Sequence, residues 1–275
     1  MMEFFDALRD PHAQFLRNAL WIGLIGALPF GLIGTYVVVR RISYIAAAIA
    51  HSILGGVGFA AFAQSQWGWQ AFDPTYGALL AAILSALVIG WVNLRFAERE
   101  DTVIGIIWVS GMAIGLIFLA KSPGYFDPMA FLFGDILLVG QGDLWRVGLL
   151  AGIVSLICIA LSPQITAIAL DPAFARIRGL RTQRLHYLML ILTALTIVLL
   201  VQLMGIILVV ALLTLPPAIA AMRSRTLAGM VAIAVVLNAL FIFGGLWLSY
   251  SLDWPSGPVI ILLATSVFLL SLFRR

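Results

Sequence analysis

The chain has 275 residues, of which 63% are hydrophobic and only 10% charged, with a mean hydropathy of +1.11. A soluble domain carries about 25% charged residues, so water is not the main solvent of this surface. The net charge of +4 does not mark a nucleic-acid binder, because the 16 Lys and Arg are scattered between apolar segments, and the lone Cys158 excludes a disulfide framework or a Cys-based zinc cluster within one chain.

The first 17 residues, with Glu3, Asp6, Asp10 and Pro11, lack the basic start and continuous apolar stretch of a cleaved signal. They read as an interfacial lead-in to the first span. A helix needs about 20 mostly apolar residues to cross roughly 30 Å of hydrocarbon. Stretches of that kind fall at 18–39, 43–64, 76–94, 103–120, 144–162, 187–201, 203–222, 226–249 and 257–273. The expected fold is therefore all-α, a polytopic bundle of eight or nine spans forming one transmembrane domain over residues 1–275. The sixth and seventh stretches meet around Gln202 to Gly205, where two tight helices, one bent helix or a re-entrant element are all compatible with the pattern.

Lys and Arg in short loops favour the cytoplasm. The richest loop, residues 171–184, carries Arg176, Arg178, Arg181 and Arg184 and should lie inside. Arg223 and Arg225 are also expected inside, which requires an even number of crossings in between and favours two spans over 186–222. Extending the alternation places Arg40, Arg41, Arg95, Arg99, Arg274 and Arg275 inside as well, leaving Arg9, Arg17, Lys121 and Arg146 outside. Nine spans would put the N-terminus outside, although Arg17 argues mildly against that.

Ionisable residues inside spans are costly, roughly 2.5–3.5 kcal/mol for a charge on insertion scales, and so are candidate functional sites. Only His51, in SYIAAAIAHSILGGVGFAA, lies well inside an apolar stretch. It stands eight residues after Ser43, about 12 Å along a helix from the inner boundary, near the depth where transporter sites lie. A neutral histidine bonded to a neighbouring helix is the structural alternative. Imidazole suits Zn, Fe, Ni or Cu better than hard Mn, and one histidine is a poor cage. Two copies facing each other across a homodimer axis would double the ligand count.

The basic loop has its own local code. Asp171 can cap a short helix that has Pro172 at its first position, and Gly179 can end it. Asp101 can cap the helix entered at Thr102, and Pro216 with Pro217 marks a kink or break near Leu215. The loops expected outside contribute Trp67, Trp69, Tyr125, Asp73, Asp127, Asp135 and Asp143, whose aromatics read as bilayer anchors. With no Gly-rich phosphate loop carrying Lys and Ser/Thr, no cofactor is expected on this chain and ATP must be used by a partner.

Several blocks in order, VVVRRISYIAAAIAHSILGG, DTVIGIIW, FLFGDILLV, DPAFARIRGL, GIILVVALLTLPPAIA and DWPSGPVIILL, resemble the membrane permease subunits of zinc/manganese/iron-type ABC transporters. The resemblance runs nearly end to end. It implies a non-catalytic importer subunit in the bacterial inner membrane whose transported substrate is a divalent metal ion. It also implies cytosolic ABC ATPase subunits, an extracytoplasmic metal-binding protein and a second permease copy as partners. His51 would be the metal residue, and the 171–184 loop would hold a coupling helix with Asp171, Phe174, Ala175, Arg176, Arg178 and Gly179 as contacts or shapers. Family members commonly place an Asp four residues before the histidine, where this chain has Ala47; that departure weakens Mn most.

Two alternatives stand beside this reading. A permease of the same kind could carry a chelated metal or another small solute. An intramembrane hydrolase could use His51 with one of Ser43, Ser52, Ser85 or Ser110, but needs hydrogen-bond reach between the two groups, and Ser52 points to another helix face. A proton-driven transporter would need more buried acids than this sequence supplies.

Overall fold

The computed structural model describes residues 2–10, 13–96, 100–123, 132–134, 136 and 139–273. Tyr125, Asp127, Asp135, Arg99, Arg274 and Arg275 lie outside the described residues. Among the described residues there are no strands. The helices are α1 (Met2–Arg9), α2 (Gln14–Val39), α3 (Ser43–Trp67), α4 (Pro74–Arg95), α5 (Glu100–Lys121) and α6 (Gln141–Ala160), followed by α7 (Ser162–Leu170), α8 (Pro172–Ile177), α9 (Thr182–Met204), α10 (Ile206–Arg223), α11 (Leu227–Leu252) and α12 (Ser256–Leu272).

Each of the nine apolar stretches becomes a helix. Eight of these, α2 to α6 and α9 to α11, are long and apolar enough to cross a membrane. The ninth, α12, has 17 residues, about 25 Å of helix, at the low end of spanning length.

The helix ends follow side-chain chemistry. Asp73 accepts from the Thr75 N–H at 2.8 Å with Pro74 in the first turn of α4, and Thr226 accepts from the Gly229 N–H at 3.1 Å at the start of α11. Both satisfy backbone donors that a helix N-terminus leaves unpaired. The Asp101 expectation is corrected, because α5 is already helical at Glu100. Asp101 therefore sits in the first turn, where its carboxylate still faces the positive end of the helix dipole.

Contacts divide the chain into two compact units, one of residues 1–40, 129–162 and 199–275, the other of 41–128 and 163–198. In the first, α2 packs on α10, α11 and α6. Gly31 meets Val235, Gly34 meets the Leu213 carbonyl, and Asn18 Nδ2 donates to the Val139 carbonyl at 3.0 Å. The lead-in helix α1 joins this unit by burying Phe4 edge-on against Phe243 and Tyr250 of α11.

Of the kink or break expected near Leu215, the break is not there. Helix α10 continues through Pro216 and Pro217, and the chain breaks instead at Gly205, with φ +80° between α9 and α10. Pro217 cannot donate to the Leu213 carbonyl one turn back, and Gly34, lacking a Cβ, lets α2 lie against that oxygen. Gly205 takes the left-handed conformation that glycine adopts without a steric penalty. It sits against Gly134, φ +65°, so closely that a Cβ on either would strike the other's backbone. Two of the family-like blocks, FLFGDILLV and GIILVVALLTLPPAIA, thus meet at a pair of glycines.

In the second unit α3 is the central helix, flanked by α4 and α5. Glycines set both pairings. Gly56 and Gly77 bring the backbones of α3 and α4 together, while Gly111 of α5 rests on Ser52 and Gly115 rests on the Leu54 carbonyl of α3. Small residues four apart let helices approach this closely in lipid, where van der Waals contact replaces the hydrophobic effect as the cohesive force.

Candidate functional site

His51 lies about a third of the way along α3, eight residues after Ser43, half-buried, and its ring is held on two sides. Nδ1 is 2.8 Å from the backbone carbonyl of Ala47. A carbonyl oxygen can only accept, so Nδ1 carries the proton in this contact and the neutral ring keeps its lone pair on Nε2. The ring face stacks on Trp108 of α5, with centroids 4.2 Å apart and planes 26° from parallel. Tyr44, seven residues earlier on the same face of α3, tilts against the same indole at 5.8 Å. Trp108 therefore spans the two-turn interval between Tyr44 and His51.

This arrangement can present one imidazole nitrogen to a ligand. Orientation of a ligating histidine through an N–H bond to a carbonyl is the usual means by which metal sites select the tautomer. Among the described residues no cluster of three or more His, Cys, Asp or Glu could hold a metal ion. Sequence reasoning named His51 and missed Trp108. The signal was present in GMAIG, whose Gly111 and Gly115 mark the α5 face that meets α3 and thereby place residue 108 one turn below on that face.

Three of the four serines proposed for a hydrolase, Ser52, Ser85 and Ser110, are engaged elsewhere. Ser52 donates to the Ile49 carbonyl at 2.8 Å and accepts from Ser85, also at 2.8 Å, while Ser110 donates to Ile106 at 2.6 Å. Their hydroxyl bonds run to these carbonyls and to each other, and none runs to the His51 ring. The three serines instead line a mostly apolar cleft of about 430 Å³ over α3, α4 and α5.

The second candidate region is α8 with its flanks. Asp171 Oδ1 accepts from the N–H groups of Ala173 and Phe174, both at 2.9 Å, with Pro172 at the first helical position. At the other end Gly179 has φ +82°. The Gly179 N–H donates to the Arg176 carbonyl at 3.0 Å and the Leu180 N–H to Ala175 at 3.1 Å, the paired closure of a left-handed helix end. The local code read from the sequence is thus realised at both ends. Ala175 is buried, whereas Phe174, Arg176 and Arg178 face outward, and the Arg178 guanidinium lies 5.1 Å from the Phe174 ring centroid. Ile177, absent from the sequence-based set, is 85% exposed and Phe174 is 50% exposed. A short rigid helix therefore displays apolar and cationic groups together. Cys158 is buried in α6 as a free thiol.

Comparison with known proteins gives a consistent set of relatives. The model of the ABC 3 transport family matches residues 12–275. A membrane protein of Synechocystis is 38% identical over 264 residues, covering 95% of this chain and 92% of that protein. The manganese import system permease protein ScaB of Streptococcus parasanguinis is 32% identical, over 98% of this chain and 94% of its own length. Among solved structures, a chain of PsaBC from Streptococcus pneumoniae, in complex with Fab, superposes with a TM-score of 0.86 at 29% identity, covering 98% of this chain and 94% of that one.

Proposed function

The chain belongs to the ABC 3 transport family, and from that premise we propose that it is the membrane-spanning subunit of an ATP-driven importer of divalent metal ions. It is a permease and not itself a catalyst. The observation that carries the metal reading is His51, an imidazole within a spanning helix whose Nδ1–H is committed to Ala47 and whose Nε2 is left as a directed donor.

In this proposal the ion leaves an extracytoplasmic binding protein, meets His51 near the membrane midplane and passes inward as the helices alternate their opening. A single imidazole binds weakly, which suits passage better than storage. A second copy of the chain, related by two-fold symmetry, would bring a second His51 to the pathway. Cytosolic ATPase subunits would grip α8, whose exposed Phe174 and Ile177 offer apolar anchors and whose Arg176 and Arg178 offer charge. Asp171, Ala175 and Gly179 shape that surface through the cap, the buried contact and the helix end.

The donor chemistry favours borderline zinc or ferrous iron, because Ala47 leaves the site without the carboxylate that manganese prefers. Manganese is the second reading, favoured by the name of ScaB. The test is uptake of radiolabelled zinc, ferrous iron and manganese, free and chelated, into proteoliposomes holding the permease with its ATPase. We expect ATP-dependent uptake of free zinc or iron ahead of manganese. H51A should assemble normally and lose at least about 100-fold in uptake efficiency, beyond what outer-shell substitutions at metal sites usually cost. Uptake in the absence of any ATPase would overturn the transporter class assigned here. Wild-type uptake by assembled H51A would remove His51 from the pathway while leaving the permease assignment intact.

A further inference from the structure

We propose that Trp108 is a positioning and affinity-setting residue for the transported cation, acting through His51. The inference rests on the reading of His51 as the cation's contact in the pathway. Its own basis is geometric. The α5 backbone is seated on α3 by Gly111 against Ser52 and by Gly115 against Leu54. That register leaves Trp108, three residues before Gly111, over the imidazole at 4.2 Å and 26°. The Ala47 carbonyl fixes the ring's rotation from its Nδ1 edge, and the indole face blocks one side. Together they leave Nε2 one direction in which to point.

The stack also has an electronic consequence. When a divalent cation binds Nε2, electron density is drawn from the imidazole and the ring becomes more positive. An indole face carries the strongest negative quadrupole of the aromatic side chains and stabilises a cation above it. Trp108 thus holds the cation-bound ring more tightly than the free ring, and this difference raises affinity for the ion. In a chain that has Ala47 where a carboxylate would otherwise assist, the indole supplies part of the missing electrostatic support without adding a ligand atom. Tyr44, on the same face of α3 as His51, also packs against the indole, at 5.8 Å, and so adds to what holds Trp108 in place.

The test uses the permease assembled with its ATPase in proteoliposomes, with zinc as the probe ion, and compares W108A, W108F, H51A and the double variant H51A/W108A. Assembly is measured by recovery of the complex on size exclusion. W108A should raise the KM for zinc roughly tenfold, with the maximal rate within about twofold of wild type because the ring is repositioned and not removed. W108F, which retains a stacking face, should recover most of the lost affinity. In the H51A background, removing Trp108 should change nothing further, since coupled residues show non-additive effects. An added loss in that background would assign Trp108 to helix packing and overturn the proposal. A wild-type KM in well-assembled W108A would overturn it as well; should W108A fail to assemble, W108L, which keeps apolar bulk without an aromatic face, takes its place, and a wild-type KM there overturns it equally. A wild-type KM in H51A would sink the underlying site reading, and this inference with it, which separates the two failures.

Discussion

The His51 face of α3 and the α8 turn are opposite mismatches between side chain and solvent. On α3 a polar ring stands among small apolar residues at membrane depth. On α8, in the loop that charge bias assigns to the cytoplasm, Phe174 and Ile177 stand exposed beside two arginines. Each arrangement costs free energy in the isolated chain. Leaving a large aliphatic side chain in water forgoes about 1.5–3 kcal/mol relative to burial, and a polar group in lipid must find partners. Under the proposed function each mismatch is relieved by an arriving partner, a cation at the ring and a protein surface over the turn. The means of support differ too. His51 is held across 57 positions of chain by tertiary packing on α5, whereas α8 is held by hydrogen bonds within ten residues.

The contrast breaks most severely at the glycines. A Cβ on Gly111 would sit 2.7 Å from the Ser52 Cα, and a backbone atom cannot move aside as a flexible side chain can. Overpacking of this kind typically costs about 1–3 kcal/mol per site. The paired change G111V/G115V should therefore lower the thermal stability of the detergent-solubilised protein and abolish uptake, since α5 can no longer seat Trp108 on His51. Recovery of a normally melting, transporting double variant would show that the α3–α5 pairing is not what holds the site.

An intermediate effect is expected at α8. Ile177→Asp replaces an apolar anchor with a charge opposite in sign to its neighbours, without touching the cap at Asp171 or the closure at Gly179. Loss of about 1.5–3 kcal/mol of apolar burial corresponds to roughly 10- to 100-fold weaker docking. Copurification of the ATPase with the permease reads this directly, and KM for the ion should be unchanged in whatever complex remains. Undiminished recovery of the ATPase would place the docking surface elsewhere.

The same contrast explains what could be read in the sequence. Span positions depend on runs of apolar residues, so all nine stretches emerged as helices, and the α8 caps depend on residue types at fixed short offsets, so Asp171, Pro172 and Gly179 were legible. His51 was legible because a lone imidazole in an apolar run needs no knowledge of its neighbours. Trp108 was not, because an aromatic in a span normally means packing or lipid contact, and only the register of α5 on α3 brings it to the ring. Ile177 was passed over for a similar reason, since one isoleucine beside arginines has no signature until its exposure is seen. The proline pair allowed a break that did not occur. Pro217 frees the Leu213 carbonyl, but Gly34 on α2 lies against that oxygen, a tertiary contact that local propensity cannot anticipate.

The smallest effect sharpens the comparison furthest, because it separates shape from charge. Asp171 Oδ1 takes both the Ala173 and Phe174 N–H groups, and truncating such a cap costs about 1 kcal/mol. Asp171→Ala should therefore fray the first turn of α8, leave the Gly179 closure in place and weaken ATPase docking about fivefold. Asn caps as well as Asp, so D171N should restore docking to near the wild-type level. Were D171N as impaired as D171A, the carboxylate charge itself would be meeting the partner, and α8 would be a charged contact rather than a shaped one. In neither variant should the KM for the transported ion move, because nothing in the cap reaches the imidazole, and a shift there would mean that the two mismatched regions are energetically coupled in the assembled transporter.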